Sequence, residues 1–160
     1  MPDWTLMPAS ERDIEEVKAR CRRIVKRRAA VSAGIAAVPL PGVDLAADLG
    51  LFAAVIDDIN HEFGLTPAQI ERLQPKFRLI AYEAALSVGG MLIGKLITKE
   101  LVLQLLRRSG AKLLAKQATR IVPIAGQIAS AAIGFVAFRQ IGNQHIDACA
   151  KVAAELLAAR

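Results

Sequence analysis

The chain has 160 residues, a formal net charge of +6 and 54% hydrophobic residues, of which only a few are aromatic (4% of the chain). This length buries one core without needing a disulfide or a metal, so a single domain is expected. The two cysteines, Cys21 and Cys149, have neither CxxC spacing nor a histidine pair beside them, which excludes a zinc site of the usual pattern and favours two free thiols in a reducing compartment.

The mean hydropathy of +0.36 comes mostly from alanine, valine, leucine and isoleucine. Side chains this small allow close helix approach, which suits a tightly packed bundle or a membrane-associated one. Basic residues gather in two blocks, Lys18 to Arg28 and Lys95 to Arg120. Either block attracts anionic head groups or phosphates, or simply forms a solvated helix face.

Met1 to Glu16 is polar and partly acidic, unlike a secretory signal, so cytoplasmic localisation is expected, extending to the inner face of the cytoplasmic membrane. Residues 1–9 are expected to be a flexible segment preceding a single helical domain over 10–160. Ser10 and Asp13 make a capping-box-like start. Ile14, Val17, Cys21, Ile24, Val25 and Val31 then recur at helical steps, with the first basic block on the other face. The helix should stop before Pro39, and Pro39 to Gly42 reads as a rigid turn.

From Val43 to Phe63 a broad apolar face resumes, built on Leu51, Phe52, Val55, Ile56 and Ile59. Asp44 and Asp48 lie one turn apart, and an ion-paired packing role for this acidic pair is preferred to metal binding. Gly64 reads as a helix stop. Thr66, Pro67 and Gln69 then start a short helix to about Leu73, which Pro75 ends. A fourth helix is expected over about Lys76 to Ile97. Its glycines, Gly89, Gly90 and Gly94, each cost about 1 kcal/mol of helix propensity, which close packing against another backbone would offset.

Two shorter helices are expected over Glu100 to Arg108 and Ala111 to Arg120, followed by a long one from about Ile124 to Leu157. Gly126, Ser130 and Gly134 place small residues on one face of that last helix, which permits close crossing. The fold expected is all-α: a compact bundle of six to seven helices with glycine-rich central helices.

Ile121 to Phe138 carries no formal charge over eighteen residues, near the lower limit for a spanning helix. Its alanine, glycine, Gln127 and Ser130 make insertion weak, so both a buried helix and membrane association stay open. No phosphate-binding loop, dinucleotide fingerprint, nucleophile elbow or metalloprotease motif occurs, so neither an enzyme nor a cofactor is expected. His61 and His145 read as isolated.

Two segments carry a family resemblance. One is Val38-Pro-Leu-Pro-Gly-Val-Asp-Leu-Ala-Ala-Asp48, followed by an apolar helix. The other is Ile121-Val-Pro-Ile-Ala-Gly-Gln, with Arg139-Gln-Ile-Gly142 further along the last helix. Together they resemble the helical domain of unknown function 697, found in bacterial inner-membrane proteins and appended to bacterial GTPases, and are similar to helical parts of immunity-related GTPases. The resemblance spans about Arg20 to Leu157 and implies a helical module working beside a GTPase or at a membrane, although every guanine-nucleotide motif is missing here.

Three readings follow. The first is a membrane-associated, oligomerising module that uses Arg22, Arg23, Lys26 and Arg27 for anionic lipid. The second is a soluble adaptor docking on a partner protein such as a GTPase. The third is a pore-forming effector inserting Ala84 to Ile97 and Ile121 to Phe138 as a hairpin. Nucleic acid ranks last as a partner, because no aromatics interleave the basic blocks.

Overall fold

The structure, a computed structural model, describes residues 7–36, 44–88, 92–95, 97–98, 100–101, 104 and 126–160; within these, side-chain surroundings are described except for 32–36, 44–49 and 126–137. The described residues are helical with no strand: α1 (Glu11–Ala36), α2 (Asp44–Phe63), α3 (Pro67–Glu71), α4 (Pro75–Ser87) and α5 (Gly126–Ala158). The all-α class therefore holds, while a count of six to seven helices reaches beyond the described residues. The Pro39 to Gly42 turn and the helix expected over Ala111 to Arg120 also lie outside them.

α1 starts where the capping residues put it. The Asp13 N–H donates to Ser10 Oγ at 3.1 Å, and the Ala9 N–H donates to the Asp13 carboxylate at 3.1 Å. Before this cap Met7 is buried in the core, and residues 1–6 of the segment expected over 1–9 lie outside the described residues. Ile14, Val17, Cys21, Val25 and Ala29 form the buried stripe of α1, whereas Val31 is 52% exposed and corrects the sequence reading. At about 100° per residue the stripe drifts toward Ala29 as the helix proceeds, and Val31 falls about 80° from Cys21 on the opposite side, about 160° from Ala29 and outside the stripe.

α2 ends at Gly64, whose φ of +73° is the left-handed conformation that lets the Gly64 and Leu65 N–H groups reach the His61 and Asn60 carbonyls. Thr66 and Gln69 form the expected capping box, in which the Gln69 N–H donates to Thr66 Oγ1 and the Thr66 N–H donates to Gln69 Oε1. Pro75 opens α4 as its first residue, where a missing N–H costs nothing.

α4 stops at Ser87, ten residues short of the expected Ile97, and Leu92 to Lys95 form a turn. Gly94 explains part of this departure. Its φ is +67°, its N–H donates to the Leu65 carbonyl at 3.0 Å, and a Cβ there would lie 2.9 Å from Ile70 Cδ1. The close approach expected of this glycine is present, but it is made by a left-handed turn and not by a helix interior. Gly89 and Gly90 lie outside the described residues. Beyond the turn, Glu100, Leu101 and Gln104 are helical, with the Leu101 N–H donating to Thr98 Oγ1 at 3.2 Å.

α5 begins within two residues of its expected start and packs against α1, α2 and α4. Gly142 makes a close approach to α1, since a Cβ there would meet both methyls of Val25 at 2.8 and 2.9 Å. Together with the Arg22 to Asp147 pair at 3.1 Å, this contact sets α1 and α5 antiparallel, the start of one beside the end of the other. Phe52 and Phe138 meet edge to face at 4.7 Å between centroids and join α2 to α5. Val55, Ile56, Ile59 and Phe63 are fully buried, as the apolar face of α2 predicted, and Leu51 is half-buried.

Candidate functional site

Three places carry chemistry: the outer face of α1, a polar cluster inside the core, and a groove between α4 and α5. On α1, Arg23, Lys26, Arg27 and Ala30 fall within about 60° of the direction opposite Cys21, so the helix buries one side and presents cations on the other. All four are exposed, and among the described residues no ion pair engages Arg23, Lys26 or Arg27. Arg22 stands apart from them, because its guanidinium reaches Asp147 of α5 and so links two helices. Arg20 does the same toward α2, reaching Glu62 at 3.2 Å. The sequence-predicted set Arg22, Arg23, Lys26 and Arg27 therefore divides into one bridging residue and three cations with no ion pair among the described residues.

The remaining sequence-predicted residues are less informative. Asp44 and Asp48 sit in the first turns of α2, and Gly126, Ser130 and Gly134 in the first turns of α5, all where side-chain surroundings are outside the description. Among the described residues no group of three or more metal-ligating side chains forms, and no helix is long and apolar enough to cross a membrane.

The polar cluster was not legible from spacing. Asn60 of α2 is fully buried, and its Nδ2 donates to the Leu92 carbonyl at 3.0 Å. Its Oδ1 lies 2.7 Å from His145 Nε2. An amide oxygen only accepts, so Nε2 carries the proton. Cys149, one turn along α5, donates weakly to the same Oδ1 at 3.7 Å and sits 3.5 Å from His145 Nε2.

A cysteine, a histidine and an asparagine together invite comparison with a nucleophilic triad, but the electrostatics run the opposite way. Burial pushes His145 down to about 4 and the Cys149 thiol well up, with nearby Cys21 adding to the latter. Burial, then Glu62, pushes Cys21 up to about 12. One imidazole nitrogen meets both the amide and the thiol, and it already holds a proton, so it cannot take one from sulfur. A reactive thiolate needs the reverse arrangement. The cluster instead satisfies buried polar groups and ties α2, α5 and the Leu92 turn together.

The groove lies where α4 meets the end of α5. It encloses about 510 Å³ over Ile80, Ala84 and Ala158, and is rimmed by Glu83 and Glu155. Beside it α4 exposes an apolar ridge, Leu79 at 59% and Leu86 at 84%. Compared with known protein families, with characterised proteins and with solved structures, the chain finds no match.

Proposed function

We propose that this chain is a non-catalytic helical module that associates with anionic membrane surfaces through the outer face of α1. The observation that carries this reading is the set of exposed cations Arg23, Lys26 and Arg27, without an ion pair among the described residues, on a helix whose opposite side is locked into the core. A folded scaffold holding cations outward loses little order when they meet lipid head groups. Half-exposed Val31 flanks the same face and adds a small apolar contact. The resemblance to the domain of unknown function 697 points the same way, toward a module beside a GTPase or a membrane complex at the inner face of the cytoplasmic membrane.

Co-sedimentation with vesicles tests this. Each cation near an anionic surface is worth about 1 kcal/mol, so glutamine at Arg23, Lys26 and Arg27 together should weaken binding to phosphatidylserine vesicles by about 100-fold. Arg22→Gln alone should weaken it less, because Asp147 already engages that side chain. Binding that ignores salt, lipid charge and all three substitutions overturns the proposal.

A second reading, an adaptor docking on another protein, is favoured by Leu79 and Leu86, which α4 holds in solvent at helical spacing.

A further inference from the structure

Among the described residues, the exposed cations of the α1 ridge and the carboxylates of the α4–α5 groove lie apart. The antiparallel pairing of α1 with α5 places the end of α5, and hence the Glu83 and Glu155 groove, beside the start of α1. The ridge of Arg23, Lys26 and Arg27 lies roughly 15–20 Å further along α1, at 1.5 Å per residue. Both groove carboxylates are exposed, and neither has an ion pair among the described residues. Carboxylates and cations this far apart cannot neutralise each other within one chain, but they can do so between two.

We infer that the α4–α5 groove is the docking site for the α1 ridge of a second copy of this chain. The complementarity joins charge to apolar character. The ridge presents Ala30 among its cations with Val31 at its flank, and the groove presents Ile80, Ala84 and Ala158 beside its carboxylates, with Leu86 standing at its side. Cations then meet Glu83 and Glu155 while the small apolar side chains fill the floor. Because donor and acceptor surfaces differ and lie apart on the chain, the contact is head to tail. Each copy keeps one free groove or one free ridge, so assembly grows into a ring or a filament instead of stopping at a symmetric dimer.

The ridge also serves the proposed membrane contact, so assembly and vesicle binding compete for it, whereas the groove belongs to assembly alone. Sedimentation velocity on the full chain tests the inference. At low salt the wild type should form species larger than a dimer as concentration rises, and near 1 M salt, where the screening length falls to about 3 Å, it should be monomeric. A groove variant, Glu83→Lys with Glu155→Lys, and a ridge variant, Arg23→Glu with Arg27→Glu, should each be monomeric alone. Mixed, they should assemble again, because the intact ridge of one meets the intact groove of the other and the reversed ridge meets the reversed groove.

Glu83→Gln with Glu155→Gln provides the milder check, read as an assembly constant weakened at least about tenfold. Circular dichroism confirms the fold of each variant. The groove variants should bind phosphatidylserine vesicles at least as well as the wild type does, because their ridge is intact and no longer competed for, so failure of assembly and failure of membrane binding read out separately. A wild type that stays monomeric at low salt, a groove variant that still assembles, or a mixture that fails to pair overturns the inference.

Discussion

Replacing Asn60 with leucine keeps the γ-branched shape at a somewhat larger volume and removes the polarity, so it tests what the buried cluster contributes. Two groups are stranded by it, the His145 Nε2–H, whose acceptor is 2.7 Å away, and the Leu92 carbonyl, whose donor is 3.0 Å away. Each stranded buried group costs about 1–3 kcal/mol, and burial of the new apolar side chain offsets part of that, leaving about 2–4 kcal/mol. At about 2–4 °C per kcal/mol for a domain of this size, Tm should fall by about 4–16 °C. The double variant Asn60→Leu with His145→Leu removes donor and acceptor together and strands only the Leu92 carbonyl. It should therefore be more stable than Asn60→Leu alone, despite carrying an additional core substitution. Calorimetric melts and urea titrations on the four proteins of this cycle provide the measurement. An unchanged Tm for Asn60→Leu, or strictly additive costs in the double variant, would refute the assignment of this cluster as a satisfied structural network.

The other predictions follow from the same core. His145 is held near 4 in the fold against 6.5 in the unfolded chain, so between those values the unfolded state binds more protons. The contribution is fully present above pH 6.5 and is lost as pH falls toward 4, by up to about 3 kcal/mol; His145→Leu should flatten that part of a stability-versus-pH curve. Gly142→Ala should destabilise by about 1–3 kcal/mol through its clash with the Val25 methyls, less a gain of up to about 1 kcal/mol in helix propensity. Adding Val25→Ala should recover part of the loss in thermal melts, and no recovery would count against the clash. Cys21 and Cys149 should stay silent toward a thiol reagent until denaturant is added, whereas fast labelling of the native protein would contradict their burial.

Local rules made much of the fold legible. Ser10 and Asp13, Thr66 and Gln69, and Gly64 each act within four residues of themselves, so their chemistry could be read from spacing and appears as hydrogen bonds of 2.8–3.3 Å. The period of α2 likewise identified Val55, Ile56, Ile59 and Phe63 as core. The reading failed where a local preference met a tertiary demand. The apolar run from Lys76 to Ile97 has helical composition, yet the Gly94 N–H is taken by the Leu65 carbonyl and a Cβ there would run into Ile70 and Tyr82. Such a contact has no signature in the run itself beyond the glycine.

The crossing glycine shows the same limit from another side. Small residues at Gly126, Ser130 and Gly134 advertise a packing face by their spacing, while Gly142 stands alone, four residues after Phe138 in the Arg-x-x-Gly segment. Spacing can propose that a helix is able to approach another closely, but which glycine is used depends on register, and Val25 on α1 sets that register. The polar cluster is further removed still. Asn60 is 85 positions from His145 and 89 from Cys149, and each looks incidental on its own helix. Only the i to i+4 step from His145 to Cys149 was visible, and its meaning rests on Asn60, delivered by α2. The α1 ridge was legible for the opposite reason. Its cations and its apolar stripe share one helix, so a single period of 3.6 residues sorts them into an inner and an outer face without any knowledge of what the inner face packs against.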